Sequence, residues 1–78
     1  MKKYTYKDKR EGVPLINKIN EGMQQFCCVY GAYPNKVEIS YWELSEKDAE
    51  DVRALGVEPS SALSECGVYR FSCEWVEE

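Results

Sequence analysis

The sequence predicts an α+β fold: one small domain with a three- or four-stranded sheet, at least partly antiparallel, and two helices on one of its faces in the order β-α-β-α-β. Three observations lead there. Two segments alternate apolar and polar residues at the period of two that a half-buried strand requires, and one long stretch repeats its apolar residues at the helical period. Glycine or proline stands at most of the junctions between them. The chain has 78 residues, enough for a single hydrophobic core and no second one.

Lys3 to Lys7, with Tyr4 and Tyr6 on one face around Thr5, reads as a short first strand. It lies in a basic N-terminal arm, residues 1–10, and Gly12 ends it. Pro14 suits the first turn of a helix because its φ is already fixed and its missing N–H is not needed there. Ile16, Ile19, Met23, Phe26, Cys27 and Tyr30 then fall within an arc of about 100°, with Leu15 at its margin. Asn17, Lys18, Asn20, Glu21 and Gln24 stay outside that arc, so an amphipathic helix is expected from Pro14 to Tyr30. Gly31 is placed to end it in a left-handed conformation, and Pro34 forbids its continuation. Gly22 sits inside the helix at a cost of about 1 kcal/mol relative to alanine, a position that suits the close approach of another backbone.

After the turn Tyr33-Pro34-Asn35, a second strand is expected from Lys36 to Leu44. Val37, Ile39 and Tyr41 would share its inner face, with Glu38, Ser40 and Trp42 on the other. Ser45 followed by Asp48 forms a variant capping box, and Leu44 with Ala49 occupies the staple positions. A helix from Glu46 to Leu55 follows, burying Ala49, Val52 and Leu55, and Gly56 closes it with Val52 and Val57 in apolar contact. Glu58 to Gly67 is loop-like, apart from a brief edge pairing near Ala62-Leu63. The last strand runs from Val68 to Val76, where Tyr69, Phe71, Cys73 and Trp75 alternate with Arg70, Ser72 and Glu74.

The chain contains no histidine, which removes the commonest general base near neutral pH and the commonest metal ligand. No phosphate-cradling glycine loop or nucleophile elbow is present, and the acidic pairs Glu43 with Glu46 and Glu50 with Asp51 decorate one helix start, where capping and the helix dipole explain them. No enzymatic activity and no cofactor are therefore expected. The first ten residues hold no apolar run of the kind a secretory signal needs, and no stretch approaches the roughly 20 apolar residues of a membrane span. A cytoplasmic protein that begins at Met1, with thiols in a reducing compartment, is the expectation. Of the four cysteines, Cys27 and Cys28 are adjacent, and Cys66 and Cys73 lie too far apart for a tight zinc-binding turn. Cys27 and Cys73 are expected to be small core residues.

Charge is unevenly divided. Residues 1–10 hold five bases and one acid, a net of +4, while the rest holds five bases and thirteen acids, a net of −8. An acidic body repels nucleic-acid phosphates, so direct nucleic-acid binding is not expected. Acidic surface beside an exposed aromatic suits a protein interface instead. Trp42, Glu43, Glu46, Asp48, Glu50 and Asp51 are the candidate partner-binding residues, with Trp42 as anchor and the acids complementary to a basic, nucleic-acid-binding surface on a protein partner. A homodimer that completes its own burial through that face is the alternative reading, and a thiol or zinc protein the third.

The stretch from Phe26 to Ser40, a helix end passing through Tyr33-Pro34-Asn35 into Lys36-Val37-Glu38-Ile39-Ser40, resembles small phage and prophage proteins. Size, acidity and lack of catalytic groups are also similar to anti-CRISPR and other anti-defence proteins. That resemblance implies a protein that blocks a host complex by binding it, and it carries over no catalytic residue.

Overall fold

The computed structural model describes residues 2–73, which form β1 (Lys2–Lys7), α1 (Leu15–Tyr30), β2 (Lys36–Ser40), α2 (Glu46–Ala54), β3 (Glu58–Leu63) and β4 (Val68–Cys73). The four strands make one mixed sheet in the order β1-β4-β2-β3. β4 pairs antiparallel with both β1 and β2, and β2 pairs in parallel with β3 across the α2 crossover. The register aligns Tyr4, Phe71, Val37 and Pro59 in one row across the strands, and Lys3, Ser72, Lys36 and Glu58 in the next. Because side chains alternate along a strand, the first row faces the helices and the second faces solvent.

One core results. Ile19, Met23 and Phe26 of α1 and Val52 of α2 meet Val37, Ile39, Tyr69, Phe71 and Cys73 of the sheet, so both helices cover the same face. α1 ends as its sequence dictates: Gly31 has φ 75° and its N–H donates to the Cys27 carbonyl at 2.7 Å. α2 starts on Ser45, whose Oγ accepts the Asp48 N–H at 3.2 Å. Gly22 does admit a close approach, but of side chains rather than of another backbone. A Cβ there would overlap the Phe71 ring and lie 3.1 Å from Cδ2 of Tyr6.

Three other expectations change. The segment expected to be loop-like is largely the strand β3. The Glu58 N–H donates to the Asn35 carbonyl at 3.0 Å, so the alternate Pro59 nitrogen faces the free edge, where its missing N–H costs the ladder nothing. β2 stops at Ser40 instead of reaching Leu44, and Tyr41 leaves the core face and is exposed. Ser40, expected on the outer face of β2, is fully buried, and the register shift beside it places the extra residue on β3, with Glu38 against Ser60 and Ser40 against Leu63. Cys73 is buried and Cys27 only partly so. The expected continuation of the last strand through Trp75 to Val76 lies outside the described residues.

Candidate functional site

Where β2 ends, the chain must turn before the N-cap of α2, and Ser40 organises that turn. Its Oγ accepts the Trp42 N–H at 3.0 Å, and its carbonyl accepts the N–H groups of Glu43 at 3.0 Å and Leu44 at 3.2 Å. The Tyr41 N–H donates to the Leu63 carbonyl at 3.1 Å, tying the turn to β3. Tyr41 and Trp42 therefore project from a turn whose backbone is held on both sides. They are 52% and 72% exposed, and their rings contact each other with centroids 4.9 Å apart and planes tilted by 43°. Tyr41 was not among the expected site residues. The signal was available: an N-cap at Ser45 with a staple residue at Leu44 leaves too little chain for β2 to continue through Tyr41.

The acids divide by role. Glu46 and Glu50 are exposed on α2 and stand one turn apart on the same face. Asp48 and Asp51 are half-buried. Lys47 and Arg53 also lie on this helix, but Arg53 pairs with Glu58 at 3.1 Å, which leaves the early part of α2 acidic. Glu43 belongs elsewhere. Its two carboxylate oxygens accept the Gly67 N–H at 2.8 Å and the Tyr69 hydroxyl at 2.9 Å, so it ties the aromatic turn to the β3–β4 connection. Burial, and then the negative Glu43 carboxylate, push the Tyr69 hydroxyl far above its ordinary pKa.

A second cluster forms around the end of β1. Asp8, almost fully buried, accepts from both Nε and Nη2 of Arg10, and Arg10 also reaches Glu21. Hydrogen bonding to the Arg10 guanidinium holds the Asp8 carboxyl at a pKa of about 2. Lys9, Arg10 and Lys18 line an open concavity of about 250 Å³, with Cys66 and Gly67 on its wall. Lys18, expected on the polar side of α1, is 8% exposed.

All four cysteines are free thiols. Among the described residues no three histidine, cysteine or acidic side chains are grouped to hold a metal ion. No helix there is long and apolar enough to cross a membrane. No protein-family model matches this chain, and neither does any curated protein or solved structure.

Proposed function

We propose that this is a non-enzymatic binding protein of the phage or mobile-element type, which inhibits a host defence complex by covering a basic, nucleic-acid-binding surface on it. Tyr41 and Trp42 form the anchor, and Glu46, Glu50 and Asp51 supply the electrostatic flank. The observation that carries this reading is the exposed aromatic pair on a hydrogen-bonded turn. Large aromatics on a rigid support give much contact area for little lost entropy, which is why they dominate binding energy at interfaces. The adjoining acids would speed encounter with a basic partner and disfavour others. The phage-type assignment rests on the resemblance of Phe26 to Ser40 and on size and acidity.

Affinity capture with three baits tests it: the native chain, Trp42→Ala, and a variant with Glu46, Glu50 and Asp51 all changed to lysine. Circular dichroism should report the same folded content for each, since the changed side chains lie outside the core. A basic host protein, identified by mass spectrometry, should be held by the native bait and lost from both variants. Equal capture by all three removes this face as the interface. A native chain whose mass in light scattering doubles with concentration, and returns to the monomer value in Trp42→Ala, would assign the face to self-association instead.

A further inference from the structure

β1 concentrates positive charge in a chain whose net charge is −4. Its six residues include three lysines and no acid, and it forms one edge of the sheet. It pairs with β4 in unbroken register from Lys2 to Lys7, and the Asp8 N–H extends the ladder by donating to the Gly67 carbonyl at 2.8 Å. Backbone groups alternate in direction along an antiparallel strand. Tyr4 and Tyr6 therefore bond to β4 as Asp8 does, while Lys3, Thr5 and Lys7 turn their N–H and carbonyl groups to the free edge. The Tyr30 hydroxyl meets the Lys3 carbonyl there at 2.6 Å. No described residue supplies a partner for the outward backbone groups of Thr5 and Lys7.

An open strand edge is a template for another strand, and folded proteins blunt such edges with proline, bulges, charge or a covering element. At the opposite edge, Pro59 of β3 offers no N–H, and β3 carries an extra residue against β2. β1 has neither proline nor bulge, so its lysines select what can pair with it. A second copy is disfavoured. Two β1 strands set antiparallel about Thr5 would place Lys3 opposite Lys7 twice, and like charges directly opposite destabilise a pair. An acidic strand would meet the same lysines as counter-charges. Lys3, Thr5 and Lys7 are exposed on the solvent face, and Tyr4 and Tyr6 are half-buried on the helix face. The strand that fits both faces carries acids opposite Lys3 and Lys7 and apolar residues opposite Tyr4 and Tyr6.

We propose that the free edge of β1 is a docking strand for an extended segment of a partner protein in which acidic and apolar residues alternate. The segment joins the sheet through the N–H and carbonyl groups of Thr5 and Lys7. Its main-chain bonds give affinity, and the lysines and tyrosines beside them select its sequence. Lys3 and Lys7 repel basic segments, so the same charges exclude wrong partners. The edge lies across the sheet from β3, to which the Tyr41–Trp42 turn is tied, so either surface can fail without the other.

The probe is a capped, fluorescein-labelled peptide of alternating glutamate and valine, compared with a lysine–valine peptide of the same length. Amide hydrogen exchange, followed by NMR on the native chain, gives the direct reading. In the free chain the Tyr4 and Tyr6 amides should exchange slowly and those of Thr5 and Lys7 fast. With the glutamate–valine peptide at about ten times its Kd, exchange at Thr5 and Lys7 should slow about tenfold. Fluorescence polarisation should show saturable binding of that peptide and about tenfold weaker binding, or none, of the lysine–valine peptide. A Lys3→Glu, Lys7→Glu double variant, changed outside the core, should reverse this preference. Thr5→Pro removes an outward N–H that the native sheet does not use, and should weaken binding about tenfold. The exchange measurement needs no variant, so it decides the matter even where Thr5→Pro does not fold. The proposal is overturned if the peptide leaves exchange at Thr5 and Lys7 unchanged, or if the lysine–valine peptide binds the native chain as tightly. Slow exchange at Thr5 and Lys7 in the free chain that is lost on dilution would assign the edge to a second copy, and would overturn it as well.

Discussion

Replacing Glu43 by alanine is expected to destabilise the domain by about 2–4 kcal/mol, far more than the loss of a solvated surface acid. Its carboxylate accepts two hydrogen bonds, from Tyr69 at 2.9 Å and from Gly67 at 2.8 Å. Tyr69 is fully buried in the intact chain, so its hydroxyl would lose the acceptor that satisfies it, at a cost of about 1–3 kcal/mol. The Gly67 N–H, bordering an open concavity, can recover a water and should add about 1 kcal/mol. For a chain of this size, such a loss lowers Tm by about 10–25 °C. Urea unfolding of Glu43→Ala, Tyr69→Phe and the double variant separates the contributions. The cycle should return a coupling of about 1–2 kcal/mol between Glu43 and Tyr69, because the phenylalanine no longer needs the acceptor. A Glu43→Ala variant within about 0.5 kcal/mol of the native chain would refute the reasoning and return Glu43 to the solvated acidic face.

Gly22→Ala should destabilise by about 1–3 kcal/mol in urea unfolding, because the methyl overlaps the buried Phe71 ring and this outweighs the gain in helix propensity of about 1 kcal/mol. A stabilised variant would show that Phe71 can move aside. Stability should fall as pH drops from about 4 to 2, since the folded-state pKa of Asp8 is depressed to about 2 from an ordinary 3.8. A depressed carboxylate stabilises the fold above its unfolded pKa, and that contribution is lost as protonation reaches the folded value. Asp8→Asn should flatten this part of a stability-against-pH curve, and an unchanged slope would place its origin elsewhere.

The elements with strong periodicity could be read from the chain alone. α1 follows from the spacing of Ile19, Met23 and Phe26 and from the Gly31 stop, and the start of α2 from Ser45. β3 was obscured because Pro59, Ser60 and Ser61 have turn chemistry, and only the unpaired edge of β2 makes them a strand. The site was legible in part. Trp42 is exposed as expected, but it projects from the turn after β2 and not from the outer face of the strand, because β2 stops at Ser40. That early stop leaves Tyr41 exposed beside Trp42. The role of Glu43 depends on Tyr69 and Gly67, which are distant in sequence. Lys18 falls on the polar side of the helical pattern, yet it is largely buried and shares a concavity with Cys66 and Gly67 of the β3–β4 connection, which are distant in sequence.

The decisive measurement is a titration of the native chain and Trp42→Ala against the purified basic partner, at low and at physiological salt. Truncating an anchor that is 72% exposed before binding should raise Kd about 30-fold or more at both salts. Reversing the charges at Glu46, Glu50 and Asp51 should instead cost most at low salt, where surface charges are least screened. Equal Kd values for the native chain and Trp42→Ala would contradict the assignment of the Tyr41–Trp42 turn as the binding anchor.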